Sequence, residues 1–194
     1  MRAFLNDTRG VDTIPLKFVV YLALTGVVMI LIAVSWANIT PVMEGAGVDE
    51  QVTNAALKIT SIRQGAARNI LDMRSADGSM CIIELFLPDD VRFVGFGVDP
   101  DPDANGNLTD SKWVVENNTI VYQYTNGVKK RVFLNGKTVQ FRNGVQDANG
   151  RWSPSASLGV VNGHDRGVVL EGPVSGEFIF EMVFGVELYM LSHF

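Results

Sequence analysis

The chain has 194 residues, 47% of them hydrophobic, and a formal net charge of -5. That acidic balance argues against nucleic acid as a partner. A lone cysteine, Cys81, cannot form an internal disulfide, and its setting in MCIIELFL reads as a small buried hydrophobe. The length suits one membrane helix and one modest globular domain.

Residues 1–12 form a short polar leader, expected on the cytoplasmic side. Residues 13–40 read as a transmembrane helix. Its centre, Phe18 to Ala37, is FVVYLALTGVVMILIAVSWA, without a charge and with Thr25, Ser35 and the Tyr21 hydroxyl as its polar groups. Twenty helical residues rise roughly 30 Å, the thickness of a hydrocarbon core. The run exceeds the apolar segment of a secretory signal peptide, and no A-x-A-like site follows it. Asp12 or Thr13 suits the helix cap, and Pro15 suits the first turn, where a missing N–H costs nothing. Arg2, Arg9 and Lys17 precede the segment while Glu44, Asp49 and Glu50 follow it, which predicts a cytoplasmic N-terminus. Tyr21 and Trp36 suit the two membrane interfaces.

Pro41, Gly45 and Gly47 mark a weak point in the helix. Residues 41–74 are expected to continue as an extracytoplasmic helix. Val48, Val52, Ala55, Ile59, Ile62, Ala66, Ile70 and Met73 recur at spacings of three and four, giving one apolar stripe with Asp49, Lys58, Arg63 and Arg68 on other faces. Such a stripe needs a partner surface, either the chain's own β domain or a neighbouring copy.

Residues 75–194 read as a β-rich head. Met80–Leu87 and Val91–Val98 are strand-like runs separated by Pro88-Asp89-Asp90. Thr119–Thr125 and Val128–Leu134 alternate around Asn126-Gly127, a strong hairpin signal. Asn135-Gly136 offers a turn into Lys137–Phe141, and Asn143-Gly144 and Asn149-Gly150 read as further turns. Gly167–Leu170, Glu177–Phe184 and Val186–Leu191 complete the strands, with Gly185 as a turn or bulge. The expected fold is therefore α+β: a long N-terminal helix, membrane-spanning in its first half and amphipathic in its second, carrying an antiparallel β-rich head.

The N-terminal order, Asp7-Thr8-Arg9-Gly10, then Val11-Asp12-Thr13-Ile14-Pro15, then the apolar run, resembles the class III signal and N-terminal helix of archaeal type IV pilin-like proteins. The resemblance covers about the first 40 residues. It implies that a prepilin-type peptidase cuts between Gly10 and Val11. It also implies that the helix stays on the mature protein and packs into a filament core, with the β-rich head on its C-terminal half. The Glu found five residues after the cut in bacterial pilins is replaced here by Pro15, and Lys17 stands where such a core is normally apolar. Separately from the resemblance, Ala23, Gly26 and Ala33 are small sites of the kind that let membrane helices approach closely, although small residues are common in any such helix.

A second constellation runs from Asp99 to Asp110. Counted from Asp101, it supplies oxygen donors at loop positions 1, 3 and 5 (Asp101, Asp103, Asn105), Gly106 at 6, and Asn107 at 7 with its backbone carbonyl, as in the first half of a calcium loop. Lys112 stands at position 12 in place of the bidentate Glu, and Asp99 or Asp110 is the available substitute. The alternative is an acidic turn between strands. Asn107-Leu108-Thr109 and Asn117-Asn118-Thr119 fit the N-glycosylation acceptor pattern and are expected on surface turns; Asn38 is discounted because it lies close to the bilayer and precedes Pro41.

His164 and His193 are the two histidines and read as solvated. No nucleophile elbow, metalloprotease helix, phosphate loop or paired-cysteine motif is present, so no enzyme is expected. The reading that follows is a structural subunit, major or minor, of a cell-surface filament. It would associate with itself through the N-terminal helix and depend on a prepilin-type peptidase and an assembly machinery. The alternative is a singly anchored extracytoplasmic β domain that binds a ligand or partner.

Overall fold

The computed structural model describes residues 13–108, 113–155 and 166–194. The protein is α+β, with one N-terminal apolar helix and a β-rich domain. Its elements are α1 (Thr13–Ile62), β1 (Arg68–Asn69), β2 (Met80–Leu87), β3 (Val91–Asp99), β4 (Val114–Tyr124), β5 (Lys129–Phe133), β6 (Gln140–Gln146), β7 (Trp152–Pro154), β8 (Val168–Glu171), β9 (Val174–Phe184) and β10 (Leu188–His193). The chain divides into two compact units, residues 1–46 and 47–194.

In the first unit, the stretch Lys17–Ser35 is long and apolar enough to cross a membrane. Its 19 residues rise about 28 Å as a helix. The Thr25 hydroxyl donates to the Tyr21 carbonyl at 2.8 Å, so this polar side chain is satisfied within the helix.

The second unit is a sandwich. One sheet runs β1-β9-β10-β6-β7 with β2 alongside β9; the other runs β5-β4-β3-β8. Alternation along the strands sends Ile83, Leu85 and Leu87 of β2, Phe178, Phe180 and Met182 of β9, and Met190 of β10 into the same core as Val94 and Phe96 of β3 and Ile120 of β4. Phe96 of one sheet meets Phe180 of the other with ring centroids 4.9 Å apart, and Phe141 of β6 stands edge-on to Phe180 at 5.8 Å. Such tilted aromatic contacts add to the area they bury.

The C-terminal part of α1 closes this core. Val48, Val52, Ala55, Ala56 and Ile59 are buried in it. Each fully buried aliphatic side chain contributes about 1.5–3 kcal/mol. Asp49 fixes the helix to β4 and β5. The Tyr122 and Tyr124 hydroxyls donate to its Oδ1 at 2.8 and 3.0 Å, and Lys130 Nζ reaches its Oδ2 at 2.5 Å. Burial alone would raise the Asp49 carboxyl, but these donors outweigh it and hold the group below its usual range. Burial, and then the Asp49 charge, push both tyrosine hydroxyls upward.

Four expectations are corrected here. The helix expected to reach Met73 ends at Ile62. After it, Gly65 N–H closes a turn on the Ile62 carbonyl at 2.9 Å. The Asn69 and Asp72 side chains then accept from the backbone N–H groups of Leu71 and Arg74, each at 2.9 Å, in turns that compete with helical bonding. Ala66 and Ile70 therefore lie outside the helix: the Ala66 carbonyl accepts from Ser79 N–H and Ile70 N–H donates to the Phe184 carbonyl. The head is not purely antiparallel, because β6 runs parallel to β10 and β1 parallel to β9. The Asn135-Gly136 step leads from β5 in one sheet to β6 in the other.

Asn143-Gly144 is not a turn but the middle of β6. A side chain on Gly144 would come within 2.1 Å of the Ser192 carbonyl, so glycine serves the close approach of β10. Finally, β10 begins at Leu188, and Val186 sits exposed in the turn closed by Gly185 N–H on the Glu187 carbonyl.

Because, among the described residues, α1 joins the core of the second unit from Val48 onward, a chain of residues 47–194 should fold without the apolar segment. Far-ultraviolet circular dichroism should show a β-rich spectrum and heating a cooperative melt. A spectrum lacking β signal would mean that the core needs something outside these residues.

Candidate functional site

The Asp99–Asp110 segment follows β3. Asp99 and Asp101 are buried, whereas Asp103, Asn105 and Asn107 are exposed. Asp101 commits both carboxylate oxygens to the backbone: Oδ1 accepts from Asn105 N–H at 2.9 Å and Oδ2 from Gly106 N–H at 3.0 Å. Asp99 Oδ1 accepts from Asp101 N–H at 3.1 Å, and Asn105 Oδ1 from Asn107 N–H at 2.7 Å. The tight turn calls for Gly106, whose φ is +81°.

The positive charge in this segment comes from β5. Lys129 Nζ donates to Asp99 Oδ1 and Oδ2 at 2.9 and 2.8 Å and also to the Asp101 carbonyl. Arg131 Nη2 donates to Asp99 Oδ2 at 2.9 Å and also holds Glu116. An ammonium thus sits among three oxygens, and among the described residues no three acidic, histidine or cysteine groups converge as a cation shell. Asp110 lies outside the described residues. The signal that sequence reading passed over was Lys129-Lys130-Arg131, a basic strand one hairpin away from an acidic loop.

Of the acceptor asparagines, Asn107 is exposed on the loop, and Thr109 lies outside the described residues. Asn117 is exposed on β4 and not on a turn, and Thr119 is buried. Its neighbour Asn118 has φ +63° and anchors the strand irregularity: its Oδ1 accepts from Arg63 Nη2 at 2.6 Å and from Val139 N–H at 3.1 Å. Cys81 is half-buried against the core, and burial pushes its thiol up to about 11, which keeps it in the unreactive protonated form. Gly10, Val11 and His164 lie outside the described residues.

His193 is not the solvated side chain expected, and Arg68, expected on a helix face away from the apolar stripe, is buried on β1. Arg68, on β1, sends Nε and Nη2 to the two oxygens of Glu181 on β9, each at 2.7 Å, and both residues are buried. His193 Nε2 lies 3.0 Å from Glu181 Oε2, and its ring stacks on Trp152 at 4.8 Å. Gly78 N–H and the Trp152 carbonyl complete the set at 2.9 and 2.8 Å. The cluster ties together β1, β7, β9 and β10. Burial alone would raise the Glu181 carboxyl; the bonds from Arg68, His193 and Gly78 and the Arg68 charge overcome it and hold the group at about 2. Set against known proteins, the chain matches no family model, no curated protein and no solved structure.

A Glu181 carboxyl held at about 2 against an ordinary 4.5 stabilises the fold fully above pH 4.5, and the contribution is lost as pH falls toward 2. Glu181→Gln, which leaves Arg68 buried and unpaired, should cost about 3–5 kcal/mol at pH 7 in denaturant unfolding, and its deficit against the native chain should shrink from pH 5 to pH 2. A constant deficit would assign the loss to packing instead of charge. For the acidic loop, Lys129 already supplies the charge, so calcium at about 10 mM, above the affinity range of weak extracellular loops, should leave the melting temperature where a chelator leaves it. A rise abolished by Asp101→Asn with Asp103→Asn would instead put calcium on the loop.

Proposed function

We propose that this chain is a structural subunit, major or minor, of a pilin-like cell-surface filament. It is anchored by its N-terminal helix with the N-terminus cytoplasmic and the β-rich head outside. The observation that carries the reading is an apolar stretch, Lys17–Ser35, with none of its surface buried, joined in one helix to residues that close a β sandwich. Nineteen exposed apolar-rich residues need lipid or neighbouring helices, and in either setting a helix satisfies its own backbone. In this reading a prepilin-type peptidase cuts between Gly10 and Val11. The freed helix associates with its copies through Ala23, Gly26 and Ala33 and leaves the membrane into a filament core. The helix is then amphipathic only in its second half, where it packs on its own head.

Native protein should therefore begin at Val11 by N-terminal sequencing. Gly10→Leu should leave the leader attached and the protein in the membrane fraction, unassembled. A native protein that begins at Met1 or Arg2 and stays in the membrane fraction unassembled, like Gly10→Leu, would refute the filament reading and leave a singly anchored surface domain.

A further inference from the structure

A cleft of about 640 Å³ opens beside the end of α1. Thr60, Arg63 and Gln64 line one side, Asn135, Gly136 and Lys137 of the β5–β6 connection another, and Met182 and Leu188 lie on the sheet side. Its volume falls in the range of small-molecule sites. We propose that this cleft binds a carboxylate carrying a short apolar tail, with Arg63 and Lys137 taking the anion and the half-buried Leu188 taking the tail against the core residue Met182 behind it.

The anomaly that points there is Arg63. Its Nη1 donates to the Asn135 carbonyl at 2.9 Å and its Nη2 to Asn118 Oδ1 at 2.6 Å, so both acceptors are neutral. Its Nε is buried and unpartnered. No carboxylate lies within ion-pair distance of it among the described residues. Two buried or half-buried cations are compensated, Arg68 by Glu181 and Lys129 by Asp99, whereas the half-buried Arg92 and Arg151, like Arg63, form no ion pair among the described residues. Arg142, whose Nε is also unpartnered, lies over the Tyr189 ring, 5.2 Å from its centroid. A partly desolvated guanidinium without a counter-charge is unfavourable, and burial lowers its proton affinity accordingly. Lys137, exposed on the same cleft, adds a second positive charge.

Two neutral hydrogen bonds hold the Arg63 guanidinium in place, so an incoming anion meets a preorganised charge. The Thr60 hydroxyl and the Gln64 amide stand on the same wall and offer further polar contacts. Met182 belongs to the main core and Leu188 packs against it, so the apolar side of the cleft is rigid. A simple inorganic anion would leave Leu188 wet, whereas an alkyl carboxylate covers it. The carboxylate is either a free organic acid or the end of a peptide chain, and this inference does not depend on the filament reading.

The test uses the full chain in non-ionic detergent with 13C-methyl methionine. The chain has seven methionines, and the Met182 methyl reports on the cleft while Met29, on the apolar helix, reports on partitioning into detergent. Hexanoate should shift the Met182 signal saturably, 1-hexanol and inorganic phosphate should not, and Lys137→Gln should weaken hexanoate roughly fivefold. Arg63→Gln should abolish the shift. If that variant fails to fold, the exposed Lys137→Gln and the neutral 1-hexanol decide alone. N-acetyl-leucine binding more tightly than hexanoate identifies a peptide terminus, and the reverse order a free acid. An unsaturable shift, an equal shift with 1-hexanol or phosphate, or indifference to Lys137→Gln would overturn the proposal.

Discussion

Helix α1 fills a gap in the core of the β domain. Val48, Val52, Ala55, Ala56 and Ile59 share a single apolar cluster with Phe96, Phe141 and Phe180 from the two sheets. Without them the inner residues near Tyr122 and Tyr124 would face water, and Asp49 would no longer receive the two hydroxyls. The helix is thus structural for the head over its last turns and unburied over Lys17–Ser35. Changes around Val48 act on the folding of the head, while changes between Phe18 and Val34 act on what surrounds the apolar segment.

Charge is managed by pairing before burial. Glu181 lies on the outer face of its sheet, yet the β1 segment and Trp152 cover it, so Arg68 must come with it. Asp99 ends β3 beneath the loop, and Lys129 and Arg131 reach it from β5 across β4. A buried pair of this kind adds little stability over an apolar equivalent, but losing one partner is costly, so each pair fixes which strands lie together. Edge strand β2 is protected by polar side chains of α1. Gln51 Oε1 accepts from Phe86 N–H at 2.6 Å and Lys58 Nζ donates to the Ile82 carbonyl at 2.9 Å, which occupies part of the edge that another strand would otherwise pair with.

What was legible in the sequence was what local chemistry decides. The apolar segment needed only its composition. The Asn126-Gly127 hairpin needed only its turn: Gly127 has φ +88° and Val128 N–H donates to Asn126 Oδ1 at 3.0 Å. The strands Met80–Leu87 and Val91–Asp99 stand where alternation and the intervening Pro88-Asp89-Asp90 put them. The misses share another cause. Ala66 and Ile70 continued a helical spacing by coincidence, and nothing local announces that Ser79 and Phe184 claim their backbone. Gly144 resembles any Asn-Gly turn until Ser192 of β10 is beside it. Arg68 and His193 look solvated until Trp152, far away in the chain, folds over them. At the acidic loop the spacing of Asp101, Asp103 and Asn105 was legible, but the cation that meets Asp99 came from another strand.

The two units also differ in what holds them together, and this bears on how each responds to its surroundings. The head carries its own core, its own paired charges and its own backbone ladders, so its stability is an internal property that acid weakens through Glu181 and Asp49. Among the described residues, the apolar segment Lys17–Ser35 is unburied. An isolated helix of this length is marginal in water, and in hydrocarbon it is enforced because no water is present to take its N–H and C=O groups. Its fold is therefore set by its environment, and moving it from lipid to a bundle of like helices exchanges one apolar surrounding for another at little hydrophobic cost. What then decides between lipid and bundle is close packing at small side chains such as Gly26, where a Cβ would meet no neighbouring atom within 4 Å. An open glycine on an unburied helix is a site where a second backbone can approach.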